Sequence, residues 1–181
     1  MSLLIPTISV NSLTDIDVNL LKNLNIKLVL LDVDNTLASH GSQEPFEGAI
    51  EWTYEVRKNN IQIVIVSNNF KSRVAPFAKK FDLPFTCLSF KPFPFCFNRA
   101  KKFIKNYQRD KTIVIGDQIF TDILGANLSH MKSILLNPKE NDKETLGISL
   151  KRLLEKRIRN KINKMEVKKY EKKKCSSSFR S

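Results

Sequence analysis

Polar side chains suited to handling phosphate follow each of four predicted strands. Asp32 and Asp34 lie at the end of the strand predicted over 27–33. Because they are two residues apart, both side chains point to the same side of an extended chain. Further clusters follow the next three strands. They are Ser67, Asn68 and Asn69; Lys91 and Pro92; and Asp117, Gln118, Thr121 and Asp122. Because the carboxyl ends of parallel strands meet at one edge of a sheet, we expect the four clusters to share one crevice.

Carboxylates gathered in one crevice repel each other unless a cation lies between them. Oxygen ligands suit a hard ion, and Mg²⁺ needs only one or two carboxylates together with water and phosphate oxygens. The Lys91 ammonium and the Ser67 hydroxyl are suited to holding phosphate oxygens. This set predicts a two-step phosphoryl transfer. One aspartate attacks phosphorus, and the other gives a proton to the leaving alcohol and then activates water.

Alternating apolar and amphipathic segments predict the elements that position these residues. Strands are predicted over 27–33, 61–66, 83–88, 112–115 and 132–136, and helices over 46–58, 71–81, 95–107 and 120–128. Strands separated by helices of this length predict a doubly wound, Rossmann-like α/β fold with a parallel sheet of about five strands. Neither GxGxxG nor GxxxxGK[ST] occurs in the sequence, so a dinucleotide fingerprint or a P-loop has no support.

The order of the four clusters resembles the haloacid dehalogenase (HAD) superfamily of phosphatases. The matching segments are DVDNT (32–36), VIVSNN (64–69), FKPF (90–93) and IGDQIFTD (115–122). The resemblance implies that Asp32 is the nucleophile and that Asp34 is the general acid and base. It also implies a bound Mg²⁺ and a set of phosphate ligands. The implied metal residues are Asp32, Asp34 through its backbone carbonyl, Asp117 and Asp122, and the implied substrate-binding residues are Thr36, Ser67, Asn68 and Lys91.

A narrower resemblance is to the YqeG branch of HAD class IIIA, which includes relatives acting on phosphatidylglycerophosphate. It covers roughly residues 1–137 and is carried by SLTDID (12–17), LDVDNTL (31–37), IVIVSNN (63–69), KP (91–92) and VIGDQIFTDILGAN (114–127). The phenylalanines of FKPFPFCF (90–97) depart from this branch and would form either core or an apolar rim near the site mouth. The spacings between the motifs leave no room for a cap domain, so we expect an open site for a bulky phosphorylated substrate.

Positive charge is concentrated in the C-terminal part of the chain. The net charge is +13, and residues 139–181 carry 15 Lys or Arg and 6 Asp or Glu. We expect a HAD-like phosphatase domain over 1–138 and a basic extension over 139–181 that is helical from about 146 to 173. Such an extension predicts an anionic partner, either phospholipid at a membrane surface or nucleic acid, although a solvated helix has the same composition.

Cysteine usage and the lack of a long apolar segment bear on the compartment. The three cysteines form no CxxC pair, and no segment has the roughly 18 unbroken apolar residues of a membrane span. The N-terminus lacks the basic and apolar regions of a signal peptide. We therefore expect a cytoplasmic protein that contacts a membrane peripherally, through the basic helix, if its partner is lipid.

Several functions are open on the sequence alone. The leading one is an Mg²⁺-dependent phosphomonoesterase acting on phosphatidylglycerophosphate, and the second is the same chemistry on a nucleic-acid end. A non-enzymatic phosphoacceptor switch of the receiver type is disfavoured, because its acceptor aspartate follows the third strand, where this chain has Lys91. An inactive binding module is disfavoured because clustered carboxylates without a metal would cost stability.

Overall fold

The sheet that carries the site contains six parallel strands. The computed structural model describes residues 3–137 and 149–164. The strands are β1 (Ile8–Val10), β2 (Leu28–Leu31), β3 (Gln62–Val66), β4 (Phe85–Thr86), β5 (Thr112–Gly116) and β6 (Lys132–Leu136). Their order is β1-β6-β5-β2-β3-β4, so β2 is central and pairs with both β3 and β5. The predicted parallel α/β fold is therefore confirmed.

Helices cover both faces of the sheet. They are α1 (Val18–Asn23), α2 (Ala49–Lys58), α3 (Lys71–Phe81), α4 (Phe95–Asn98), α5 (Leu124–Leu128) and α6 (Ser149–Lys164). Successive strand residues face opposite sides, so Val29 and Leu31 pack with residues of α2 and α3, whereas Leu28 and Leu30 pack with residues of α4 and α5. This burial on two faces explains why the strands read as continuous apolar runs.

The sequence prediction missed the edge strand β1. This strand has only three residues and follows Pro6, which broke the apolar pattern of the segment. It forms because it pairs with β6, in the register Ile8 with Ile134 and Val10 with Leu136. A six-stranded sheet thus replaces the predicted five, and the extra strand depends on a partner more than 120 residues away.

Two predicted helices are shorter than their sequence pattern. The segment predicted as one helix over 95–107 is α4 followed by a 3₁₀ turn, Arg99–Phe103, after which Ile104 adopts an extended backbone. That extension lets Ile104 and Tyr107 pack beneath the sheet. The helix predicted over 120–128 begins as a wide π-type turn, Ile119–Ile123, and continues as α5. Turns of this kind are frequent at functional sites.

The loops between the motif-bearing strands contain no inserted domain within residues 32–91, all of which the structure describes. From Asp32 to β3 the chain forms one loop, closed by a bridge between Ala38 and Pro45, and then α2. Between β3 and β4 it forms α3. The predicted absence of a cap domain is confirmed for this part of the chain.

Helix α6 packs against the sheet domain near the π-type turn. Its buried Ile162 lies in a cluster with Ile119, Ile123 and Leu135. The basic helix was predicted from about 146 to 173, and the parts before Ser149 and beyond Lys164 lie outside the described residues. The division of the chain into a domain and an extension at residue 138 stays a prediction. Within the described residues, no helix is long and apolar enough to cross a bilayer.

Candidate active site

The two aspartates after β2 lie at the carboxyl edge of the sheet. The Asp32 backbone N–H donates to the Ile115 carbonyl at 3.0 Å, so the chain leaves the sheet only after this residue. Val33, between the aspartates, is fully buried in the core, and its carbonyl accepts a hydrogen bond from the Leu37 N–H at 2.8 Å. This tight turn fixes where Asp32 and Asp34 leave the sheet, and both are almost completely buried.

The Lys91 ammonium group links two of the acidic motifs. Its Nζ atom lies 2.6 Å from Oδ1 of Asp32 and 2.7 Å from Oδ1 of Asp122. Burial lowers the pKa of Lys91, but the Asp122 and Asp32 carboxylates raise it by more, so the net pKa lies above its ordinary value. Lys91 is therefore a fixed positive charge, and the structure brings it to the predicted nucleophile.

The loop after β3 positions Lys91 through its backbone. Asn68 forms two hydrogen bonds with that backbone: its Oδ1 accepts from the Lys91 N–H at 2.8 Å, and its Nδ2 donates to the Lys91 carbonyl at 3.2 Å. Ser67 is buried, and its Oγ accepts from the Asn69 N–H at 3.1 Å. Asn68 thus has its side chain engaged with protein rather than facing an open crevice, whereas the Ser67 hydroxyl keeps its own proton to donate.

Three carboxylates form a compact acidic group. One oxygen each from Asp32, Asp117 and Asp122 lies within 4.8 Å of the others, and all three residues are buried. Burial is the main cause that raises the pKa of Asp117 well above its ordinary value, and the charges of Asp32 and Asp122 add to it. Burial likewise raises the pKa of Asp32, to about 7, although Lys91 opposes the shift.

The Asp122 side chain is fully buried and packs closely against the backbone of Gly116. Its Oδ1 binds Lys91, and its Oδ2 accepts from the Gln118 N–H at 3.1 Å across the π-type turn. A Cβ atom at Gly116 would lie 2.4 Å from both Cγ and Oδ2 of Asp122. The close approach of β5 to this side chain therefore requires glycine.

Asp34 has a separate set of partners. Its Oδ2 accepts from Asn69 Nδ2 at 2.5 Å, and its Oδ1 accepts from Arg73 Nη2 at 3.0 Å and from the Gly41 N–H at 3.2 Å. The His40 imidazole lies 3.7 Å away and is largely exposed. The Asp34 carboxylate is thus outside the acidic group formed by Asp32, Asp117 and Asp122.

Comparison with known proteins identifies the family. The sequence family described as mitochondrial PGP phosphatase matches residues 1–138. The chain belongs to this family. It is also 36% identical over 118 residues to "Probable phosphatase YqeG" of Bacillus subtilis (strain 168). The aligned region covers 65% of this chain and 68% of the relative. The predicted membership of the HAD phosphatases, in the YqeG branch, is confirmed, and the protein is a phosphatase enzyme.

Solved structures support the fold. A protein of unknown function from Listeria monocytogenes serotype 4b superposes with a TM-score of 0.51 at 14% identity, over 67% of this chain and 86% of that chain. A haloacid dehalogenase-like hydrolase from Brucella suis 1330 superposes with a TM-score of 0.50 at 10% identity, over 67% of this chain and 93% of that chain. At these identities the likeness concerns the fold alone.

The donor set of this HAD phosphatase fits a hard cation. The Oδ1 atom of Asp117 is buried and has no hydrogen-bond partner among the described residues. Its Oδ2 accepts a long hydrogen bond, 3.3 Å, from Asn35 Nδ2. A buried carboxylate oxygen left without a donor is costly, and a divalent cation bound with the neighbouring Asp32 would remove that cost.

Thr36, a predicted substrate-binding residue, follows the two aspartates in the loop after β2. It is buried, and its hydroxyl has no hydrogen-bond partner among the described residues. It lines a small cavity beside the site together with Ser12, Phe46 and Asn137. The local turn around Val33 determines this position, which a reading of motif spacing does not reveal.

Sequence reasoning missed two arginines that contact the site. Arg73 lies on α3 and binds Asp34, and its Nη1 is buried without a partner among the described residues. Arg159 on α6 donates to the backbone carbonyls of Asp117 and Leu136. Both lie on amphipathic basic helices. In such helices the sequence does not distinguish an arginine that contacts the site from one that faces solvent.

Proposed function

We propose that this enzyme is an Mg²⁺-dependent phosphomonoesterase that forms an aspartyl-phosphate on Asp32, with phosphatidylglycerophosphate as its leading substrate. One observation carries the proposal: the Asp32 carboxylate lies 2.6 Å from the Lys91 ammonium and forms part of a buried acidic group with Asp117 and Asp122. A carboxylate at this position would attack a phosphoryl group whose negative charge is stabilised by Lys91 and, when bound, by a metal ion.

In the first step a carboxylate oxygen of Asp32 attacks phosphorus, and the bond from phosphorus to the leaving oxygen breaks. Asp34 donates a proton to that oxygen, so the product leaves as an alcohol. In the second step a water oxygen attacks phosphorus while Asp34 accepts a proton from it. The bond between phosphorus and Asp32 then breaks and inorganic phosphate is released.

The surrounding residues hold these groups in position. Arg73 and Asn69 fix the Asp34 carboxylate, so that proton transfer takes place from one orientation. Lys91 and the Ser67 hydroxyl bind the phosphate oxygens, and Asn68 contributes by holding the Lys91 backbone.

The Asp32 and Asp117 carboxylates and the Asp34 carbonyl, with Asp122 in support, would hold Mg²⁺, which would neutralise charge at the phosphoryl oxygens when bound. The partners of Asp122 and Asp117 fit this assignment. Asp122 is bound by Lys91 and the Gln118 N–H, which keeps it near the metal, whereas Asp117 offers a buried oxygen that no described residue satisfies. Thr36 stays a predicted substrate-binding residue in this proposal.

A lipid phosphomonoester agrees with the open site and with the name of the matched family. The described part of α6 presents Lys156, Arg157 and Lys161 on its exposed side, so the predicted peripheral contact with an anionic membrane through this helix is part of the proposal. A cytoplasmic protein of this kind would meet its substrate at the membrane surface.

A panel of phosphorylated substrates tests the proposal. Hydrolysis of phosphatidylglycerophosphate, p-nitrophenyl phosphate and a 3′-phosphorylated oligonucleotide is measured with Mg²⁺ and with EDTA. We expect Mg²⁺-dependent hydrolysis with the lipid as the best substrate, and loss of all hydrolysis in Asp32→Asn. Undiminished turnover by Asp32→Asn contradicts the mechanism, and preference for the oligonucleotide replaces the lipid by a nucleic-acid end.

A further inference from the structure

Several large apolar side chains that adjoin site residues in the sequence are exposed instead of entering the core. Phe90, Phe93 and Phe95 are each more than half exposed, whereas Phe97 of the same segment is fully buried. The sequence left open whether these phenylalanines form core or rim, and the structure assigns three of the four to the surface. With Phe70 and Leu88, which are also exposed, they form the set that we name the Phe surface.

The Phe surface is continuous across two loops. The Leu88 N–H donates to the Asn69 carbonyl at 2.9 Å, which joins the loop after β4 to the residue preceding Phe70. The Phe93 N–H donates to the Phe90 carbonyl at 3.1 Å. The rings of Phe93 and Phe95 stack with centroids 5.8 Å apart.

Two residues of the Phe surface adjoin, in the chain, residues that bind the reacting aspartates. Phe70 follows Asn69, whose side chain binds Asp34, and Phe90 precedes Lys91, whose ammonium binds Asp32. Leu88 and Phe90 both have a left-handed backbone, with φ of 45° and 59°. Bulky residues rarely adopt that conformation because of its steric cost.

The charge next to the Phe surface indicates its partner. Lys71, which follows Phe70, is exposed, and Arg99 donates a hydrogen bond to the Leu88 carbonyl at 2.9 Å. No acidic residue occurs in the sequence from 68 to 81 or from 83 to 109. Exposed aromatic rings among basic side chains are the composition that binds anionic bilayers, where rings enter the interface and basic groups meet phosphate. Single-stranded nucleic acid also binds aromatic and basic residues, but Phe93 and Phe95 already stack on each other rather than offering separate faces to bases.

We propose that the Phe surface docks the enzyme onto an anionic phospholipid bilayer and so presents membrane-embedded phosphomonoesters to Asp32. The proposal rests on the proposed function for the nature of the substrate, but the docking itself is a separate property. It assigns to this chain a lipid contact distinct from the basic helix α6, on the β3–β4 side of the site, whereas Arg159 anchors α6 on the β5–β6 side.

The test is flotation of the full chain with vesicles at about 0.15 M salt, where weak long-range electrostatics are screened. Vesicles of phosphatidylglycerol and phosphatidylcholine are compared with vesicles of phosphatidylcholine alone. We expect the wild type to bind the anionic vesicles. The double variant Phe93→Ser with Phe95→Ser should partition about tenfold or more weakly, since two ring insertions are lost. Tyr54→Ser is the matched control, because Tyr54 is an equally exposed aromatic residue on α2, on the opposite face of the sheet.

Several results would overturn the docking proposal. The wild type remaining free of anionic vesicles is one, and equal binding by the double variant and the wild type is another. Capture of a single-stranded oligonucleotide in place of vesicles would reassign the surface to nucleic acid. Self-association that the double variant abolishes, without vesicle binding, would reassign it to a second copy of the chain.

Hydrolysis of p-nitrophenyl phosphate separates this inference from the proposed function. The double variant should hydrolyse this soluble substrate at the wild-type rate, which also shows that it is folded, while its turnover of lipid in vesicles falls. Wild-type hydrolysis without vesicle binding rejects the docking alone. Vesicle binding together with full hydrolysis by Asp32→Asn rejects the mechanism alone.

Discussion

Gly116→Ala should disable the site although residue 116 has no side chain of its own and contacts no substrate. The new Cβ would lie 2.4 Å from Cγ and Oδ2 of Asp122 and 2.9 Å from its Cβ. Asp122 is completely buried and carries one of the two ion pairs of Lys91, so it cannot move toward solvent. To restore ordinary contact, its carboxylate must shift by roughly 1 Å, because packed interiors tolerate little overlap.

The magnitude follows from two costs. Overpacking of a core by one methyl typically costs about 1–3 kcal/mol, and weakening the buried Lys91–Asp122 pair adds to it because each charge is then less well compensated. We expect a loss of about 2–4 kcal/mol in the free energy of unfolding. A displacement near 1 Å at Lys91 should also lower kcat by about 100-fold.

A double-mutant cycle measures this contact. Urea unfolding and Mg²⁺-dependent hydrolysis of p-nitrophenyl phosphate are compared for Gly116→Ala in the wild-type, Asp122→Ala and Asp122→Asn backgrounds. The alanine background removes the two atoms at 2.4 Å, so Gly116→Ala should cost at least about 1 kcal/mol less there, whereas the isosteric asparagine keeps the clash. Equal costs in all three backgrounds, or a neutral Gly116→Ala, would refute the reasoning.

Three further perturbations follow from the site. Asp117→Asn should increase the free energy of unfolding of the metal-free protein at neutral pH by roughly 0.5–2 kcal/mol. This increase is measured as a higher Tm. The raised pKa of Asp117 means that the folded state binds more protons than the unfolded state, so wild-type stability in EDTA should fall as pH rises from about 4 toward 7; thermal melts across pH that show no such fall count against this. Arg73→Ala should lower kcat by about 10-fold with little change in KM, because Asp34 loses its orienting cation; steady-state kinetics with a changed KM and an intact kcat would instead assign Arg73 to substrate binding. Arg159→Ala should weaken Mg²⁺ activation by about 10-fold, whereas Arg157→Ala, exposed on the same helix, should not; equal effects of the two in a Mg²⁺ titration would point to helix loss rather than to the contact with Asp117.

Local patterns were sufficient to predict that Asp32, Lys91 and Asp122 meet at the sheet edge. Asp32 and Lys91 could be expected in one crevice because each lies at or shortly after the end of a predicted strand, and the carboxyl ends of parallel strands meet at one edge of the sheet. The structure brings these two residues to within 2.6 Å, with Asp122 on the other side of Lys91.

Contacts between distant segments could not be predicted in this way. Pairing of β1 with β6 depends on a partner strand rather than on its own three residues. The use of Asn68 to hold the Lys91 backbone depends on the left-handed loop residues Leu88 and Phe90, a conformation that neither residue type favours. Arg73 reaches Asp34 only because α3 starts beside the loop that follows β2.

The aspartyl-phosphate on Asp32 is the central claim, and chemical trapping tests it most directly. The enzyme is mixed with Mg²⁺ and substrate, quenched during turnover and reduced with borohydride, which converts an acylphosphate of aspartate to homoserine, and its peptides are analysed by mass spectrometry. We predict homoserine at position 32 in the wild type and none in EDTA or in Asp32→Asn. Homoserine at position 34, or its absence throughout active turnover, would contradict the account.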